Sequence, residues 1–323
     1  MIMRACDRVV NVTAPILGKA KTAKGSYPLL IVLLLGCAMV ASSCRREAEE
    51  RPTPVQLTTR GANERAPAWS PDGRWIAFSS DAASKGDLFY IPSEGGGAVQ
   101  VTASEAADDC PSWSPDGSSI AFHSDREGDE NVWVVDTTTK TARKLTEHPG
   151  FDGFPAWSPD GKTILFQSDG LGNMDVWMMT SDGGDKIPLT SDPDLDTTPA
   201  FSPDGKKVAF SSRRAGNADI WILDLSSNAL RRLTSSPEDE WRPAWSPDGN
   251  RIAFIASGKG KTAHIWVMRA DGTGRKQMTF GNSLDYSPTW SADGKKLAFD
   301  SDRAGNRDIW VTEVAAPSRQ EHR

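Results

Sequence analysis

Short apolar runs alternate with turn residues along most of the chain, and no repeated segment keeps a helical period. The triplet Ile76-Ala77-Phe78 follows Pro67-Ala68-Trp69-Ser70-Pro71-Asp72-Gly73, and the same succession returns at Pro111, Pro155, Pro199, Pro243 and Pro288. These prolines are spaced 44, 44, 44, 44 and 45 residues apart, and the triplets end in Phe78, Phe122, Phe166, Phe210, Phe254 and Phe299. A fixed period of this length marks a repeat architecture. Ser-Pro-Asp-Gly between two apolar segments predicts a tight hairpin turn: proline sets φ, aspartate bonds to the nearby backbone, and glycine takes a left-handed conformation. Ala68-Trp69 and Ile76-Ala77-Phe78 then belong to the first two strands of a unit. Asp87-Leu88-Phe89-Tyr90, echoed by Asp219-Ile220-Trp221 and Asp308-Ile309-Trp310, supplies the third strand. Val101-Thr102, Leu145-Thr146, Leu189-Thr190, Leu233-Thr234 and Met278-Thr279 end the fourth. Four short strands per unit predict an all-β fold of propeller blades. A β-solenoid is the second reading, but its repeats are usually shorter.

The ends of the chain favour the propeller. The sixth copy supplies three strands, through Trp310-Val311-Thr312, and lacks its Leu-Thr strand. Val55-Gln56-Leu57-Thr58 carries that strand upstream of the first copy, 44 residues before Val101-Thr102. The expectation is a closed six-bladed propeller over residues 54–314, whose sixth blade is completed by residues 55–58, so that no edge is left open at the joint.

Six tandem copies of Pro-x-Trp-Ser-Pro-Asp-Gly, each with its Phe triplet and Asp-Ile-Trp-like segment, resemble the WD40-like PD40 repeats of the TolB propeller family. Departures are small: Phe201 replaces Trp in the fourth copy, Ala292 replaces Pro in the sixth, and Asn131 and His264 replace Asp in the second and fifth. The resemblance implies a non-enzymatic, protein-binding propeller of the bacterial cell envelope, with an envelope protein such as a peptidoglycan-associated lipoprotein as its partner. The family's namesake carries a further α/β domain before its propeller; here about ten residues separate Cys44 from the first strand.

That segment has its own chemistry. Arg4, Arg8, Lys19, Lys21 and Lys24 precede an apolar run from Leu29 to Ala41, which ends in Ser42-Ser43-Cys44. A basic region, a short apolar core and small residues predict an export signal over residues 1–44. The run is shorter than the roughly 20 residues of a spanning helix. The small residues before Cys44 resemble a bacterial lipoprotein signal, with Cys44 as the lipidation site and Cys37 as the alternative. The expectation is an exported, lipid-anchored, periplasmic protein, held at the outer membrane rather than the inner. A linker over 45–53 and a carboxy-terminal tail over 315–323 flank the repeats. Of the four cysteines only Cys110 lies in the repeats, so no bridge can form within them.

Charge narrows the partners. Removing the 5 bases and 1 acid of the first 44 residues from 37 Lys+Arg and 43 Asp+Glu leaves 32 against 42, a net −10. Such a surface repels phosphate backbones, which excludes nucleic acid as the expected partner, and the chain is expected to be a monomer. No Gly-x-Ser-x-Gly elbow is present, and His123, His148, His264 and His322 share no metal-ligand spacing, so no catalytic residue is assigned and no cofactor is required.

Three residues before each leading proline stands a carboxylate: Glu64, Asp108, Asp152, Asp196, Glu240 and Asp285. Closure of the ring would gather them around one channel mouth, where like charges about 7 Å apart repel by roughly 2 kcal/mol per pair at an effective dielectric near 20. Two arrangements would offset this. Each acid bonds locally or pairs with an arginine, or the mouth binds a cation or basic peptide. Calcium suits an all-oxygen set, with Asp108, Asp152, Asp196 and Asp285 as its ligands. Arg126, Arg214 and Arg303, at equivalent positions between second and third strands, either neutralise the acids or offer a protein-binding rim. Separate peptidases of the prolyl oligopeptidase class and carbohydrates remain the alternative partners. Ten of the 12 tryptophans hold two motif positions, which marks them as packing between sheets.

Overall fold

The computed structural model describes residues 52–314 apart from 60, 84 and 258–261. The predicted export signal with Cys44 and Cys37, the linker up to residue 51, the tail over 315–323 and much of the loop carrying the extra residue of the fifth repeat lie outside the described residues. Among the described residues no helix is long and apolar enough to cross a membrane.

Six four-stranded antiparallel sheets follow one another along the chain. Blade one consists of Glu64–Trp69, Trp75–Ser80, Asp87–Pro92 and Val99–Gln100. Blades two to five start at Asp108–Trp113, Asp152–Trp157, Asp196–Phe201 and Asp239–Trp245 and repeat its order. Blade six takes Asp285–Trp290, Lys296–Ser301 and Asp308–Glu313 from the carboxy-terminal end and Val55–Gln56 from the other, with Val55 opposite Val311 and Gln56 opposite Trp310.

The threonine of each Leu-Thr pair explains why that pair recurs. Its hydroxyl accepts the amide of the residue after the third-strand acid, as in Leu88 N to Thr102 Oγ1 at 2.9 Å and Val176 N to Thr190 Oγ1 at 3.0 Å. At the ring closure the bond is Ile309 N to Thr58 Oγ1, 2.9 Å, and it joins residues from opposite ends of the described chain.

The Ser-Pro-Asp-Gly turns are equally regular. In blade one the Ser70 hydroxyl donates to Asp72 at 2.6 Å and accepts Trp75 N at 2.9 Å, while Asp72 accepts Arg74 N at 3.0 Å. Gly73 donates to the Ser70 carbonyl at 2.9 Å with φ of 72°, a region where a side chain is disfavoured. Each turn also touches its neighbour: a Cβ on Gly117 would lie 3.6 Å from the Pro71 ring, and one on Gly161 would lie 3.3 Å from Pro115. Where the motif departs, Ala292 takes the proline's place and meets Gly73 across the joint.

Six apolar clusters fill the interfaces between successive blades. One unites Ala77, Leu88 and Val101 of blade one with Ile120, Phe122, Trp133 and Val135 of blade two. Another joins Ile76, Phe78, Phe89 and Ile91 to Ala298 and Ile309, so the first and last blades share a core like any other pair. The triplet phenylalanines are at most 1% exposed, and each contributes about 2 kcal/mol by leaving water.

Candidate functional site

The first strand of each blade supplies two kinds of residue. Glu64, Asp108, Asp152, Asp196, Glu240 and Asp285 are buried, between 0 and 2% exposed. They are sealed from water, and several pair with an arginine, the first of the two arrangements that the sequence left open. In blade two, Arg126 Nη2 lies 2.7 Å from the Asp108 carboxylate and donates from Nε to Ser124 Oγ at 3.0 Å. Its guanidinium sits over the Trp133 and Phe122 rings, 4.7 and 5.2 Å from their centroids. Arg214 and Arg303 repeat this on Asp196 at 2.6 Å and Asp285 at 2.7 Å, over Trp221 and Trp310. Acid, arginine, phenylalanine and tryptophan thus form one interlocked unit inside the blade. The guanidinium occupies the place of positive charge that a cation would take, so Asp108, Asp196 and Asp285 are not presented as a calcium set, and Arg126, Arg214 and Arg303 are not a free rim.

Other blades solve the same problem differently. In blade five the cation comes from another chain position: Arg275 Nη2 meets Glu240 at 2.5 Å and lies over Trp266. Sequence position alone did not reveal Arg275, because the repeat places no arginine there. Asp285 adds bonds from Ser301 and Ser283 and a His264 contact at 3.3 Å. Burial raises its pKa, yet the bonds from His264, Ser301, Thr279 and Arg303 outweigh that and hold it at about 2. Asp152 has no such arginine, and burial pushes its pKa up despite Ser168 and Thr146.

The channel itself is lined by the residues that follow the acids. A cavity of about 410 Å³ is bounded by Arg65 and Ala66, Thr197 and Thr198, Trp241 and Arg242, and Tyr286 and Ser287, together with Asp109, Ile255 and Arg307. Consecutive strand residues ordinarily point to opposite faces. Here both members of each pair reach one cavity, because Ala66, Cys110, Phe154, Thr198, Arg242 and Ser287 all have φ between 50° and 53°. Each stands inside a break of register, such as that between Arg65 and Ala68. A non-glycine residue in this region is strained by about 1 kcal/mol or more. Second-strand side chains hold several of these amides from the preceding blade: Gln167 Oε1 accepts Thr198 N at 2.9 Å, Ser211 Oγ accepts Arg242 N at 3.2 Å, and Asp300 Oδ1 accepts Ala66 N at 3.3 Å.

The cavity is rich in arginine. Arg242 donates to Ser287 Oγ and lies over the Phe154 ring, 4.8 Å from its centroid. Arg307 stands 3.6 Å from buried Asp300 and 4.6 Å from the centre of Tyr286. Arg65 Nε is buried with no hydrogen-bond partner among the described residues. On the blade-two side, Asp109, Cys110 and His123 bring one potential ligand atom each within 4.8 Å of one another. Sequence spacing does not bring these three together; strand register does, by pairing His123 with Asp109. A signal was present in the sequence: the residue before each leading proline differs in all six repeats.

Comparison with known proteins fits this geometry. A putative TolB from Agrobacterium tumefaciens has a similar structure, with 24% identity over 81% of this chain and 97% of its own and a TM-score of 0.64. TolB from Acinetobacter baumannii shares 24% identity over 85% of this chain and 68% of its own, with a TM-score of 0.65. An oligogalacturonate lyase from Vibrio parahaemolyticus is similar at 12% identity, over 83% of this chain and 95% of its own, with a TM-score of 0.57. At these identities the likeness speaks for the fold. No curated protein matches the chain. The TolB beta propeller domain matches residues 100–240 and 198–321, which together span more than half of the chain, and the protein therefore belongs to the TolB-like propeller family.

Proposed function

We propose that this protein is a non-enzymatic binding propeller of the bacterial cell envelope, and that its channel cavity receives a carboxylate-bearing segment of a partner protein. The observation that carries this reading is the cavity wall: Arg65, Arg242 and Arg307 stand beside Trp241 and Tyr286, with Asp109 as the one acid of the lining. Arginine and aromatic residues are the side chains that most often anchor protein partners. The unpartnered Arg65 Nε has a donor to offer such a carboxylate. Envelope residence rests on the predicted export signal and the family resemblance. The partner class revises the cation or basic peptide expected from the acids, because their charge is turned inward.

A photo-crosslinking residue in place of Tyr286, introduced in cells, tests this. One envelope protein should be captured in stoichiometric amount, and Arg65→Glu with Arg242→Glu should abolish the adduct without unfolding the propeller. Capture that persists in the charge-reversed protein, or recovery of an oligosaccharide instead, would overturn the reading.

A further inference from the structure

The blade-two wall of the channel differs from the other five in one respect. At three registered positions of the same scaffold it carries Asp109, Cys110 and His123, where blade one has Arg65, Ala66 and Ser79 and blade four has Thr197, Thr198 and Ser211. His123 also holds the next blade's Phe154 amide, as Gln167 and Ser211 hold theirs, but no other blade joins that position to a thiol and a carboxylate. Left-handed Cys110, with φ of 53°, turns what would be an outward-pointing neighbour of Asp109 to the same side, and strand pairing sets His123 opposite Asp109.

We propose that Asp109, Cys110 and His123 form a binding site for a borderline-soft divalent cation of the zinc class. The donor set is thiolate, imidazole and carboxylate, which suits zinc and not calcium or magnesium. One ligand atom from each residue lies within 4.8 Å of the other two. In a tetrahedral zinc site with bonds of about 2.2 Å, donors stand about 3.6 Å apart, so side-chain rotation of about 1 Å closes the set. Charge also balances: the dication, the Asp109 carboxylate, the Cys110 thiolate and a neutral imidazole sum to zero, and the thiol proton leaves to solvent on binding. The resulting site presents no net charge to the Arg242 guanidinium, which lies beside the Cys110 thiol.

The surroundings supply the support a metal site needs. Ser79 Oγ donates to Asp109 Oδ1 at 2.5 Å and Cys110 N donates to the same oxygen at 2.7 Å, which orients the carboxylate. Glu130 Oε2 lies 3.4 Å from His123 Nε2, so a carboxylate can hold the ring proton there; Nδ1 accepts Phe154 N over a long 3.4 Å and exchanges that weak bond for the metal on binding. Phe151 and Phe154 flank that ring, with centroids 5.7 and 5.4 Å away, and shield it from bulk water. Asp109 lines the cavity, which leaves the fourth tetrahedral position for a water or ligand donor. This site does not depend on the proposed partner.

Cobalt(II) is the probe. It is added to the full chain carrying Cys6→Ser, Cys37→Ser and Cys44→Ser, in which Cys110 is the sole thiol. One equivalent should produce a thiolate-to-cobalt charge-transfer band with visible bands of a tetrahedral ion, and zinc should displace it. Cys110→Ser should remove the charge-transfer band. His123→Gln and Asp109→Asn should weaken cobalt binding by roughly tenfold or more, the scale seen even for supporting groups at metal sites. No charge-transfer band with cobalt in excess, or one that survives Cys110→Ser, would overturn the proposal. The spectrum of the protein with Cys110 intact decides the matter even where a variant fails to fold.

Discussion

Two rows of side chains on the same six inner strands behave in opposite ways. Glu64, Asp108, Asp152, Asp196, Glu240 and Asp285 repeat one chemistry and are sealed inside the blades. Arg65, Asp109, Gly153, Thr197, Trp241 and Tyr286, one position on, share no chemistry, and most of them line the channel. In a repeat protein each blade meets its neighbour through the same geometry, so whatever the fold requires must be written every time. What differs between blades is free of that requirement and available for recognition. The acidic row, however conspicuous, is therefore architecture, and the irregular row beside it is the candidate site.

The largest test removes a partner from the repeated row. Arg303→Ala leaves Asp285 buried without its cation and should lower stability by about 3 kcal/mol, or roughly 9 °C in Tm for a propeller of this size. Thr197→Ala on the channel row should stay within about 0.5 kcal/mol. Thermal unfolding of both variants decides; equal losses would erase the distinction between the rows.

A second test sharpens the comparison within the acidic row. With Asp285 held at about 2 against an ordinary 3.8, its contribution is fully present above pH 3.8 and lost as pH falls toward 2. At neutral pH it amounts to about 2 kcal/mol, so Asp285→Asn should destabilise by that amount and flatten the acid limb of the stability profile. Asp152 has the opposite sign. Burial raises its pKa, so ionisation costs stability as pH rises through that raised value, and Asp152→Asn should raise the Tm at pH 7. Denaturant titrations at several pH values test both; a loss of stability in Asp152→Asn would contradict the assignment.

The smallest effect concerns the turn that departs from the motif. Ala292→Pro restores the residue found in the other five turns, and it should stabilise by about 0.4–1 kcal/mol through the unfolded chain. A destabilised variant would show that the joint where Ala292 meets Gly73 has no room for the ring.

The architecture was legible because its causes are local and repeated. Ser70, Asp72 and Gly73 close their turn with bonds among themselves, and Thr102 answers Leu88 within one blade. The split sixth blade could likewise be read from one misplaced Leu-Thr pair. The role of the acids was less legible: a column of carboxylates looks alike whether it faces water or an arginine. For Glu240 the arginine comes from position 275, outside the repeated pattern.

By itself, then, the sequence determined the period, the turns, the strands and the closure of the ring, since those follow from short-range bonding and from apolar residues that recur in step. Only the tertiary structure decided which side chains face the channel. That choice depends on a positive φ at the residue before each leading proline, a position where proline's neighbour is ordinarily extended. It depends also on strand register, which sets His123 opposite Asp109, and on ring closure, which brings Arg65, Arg242 and Arg307 from separate blades to one cavity.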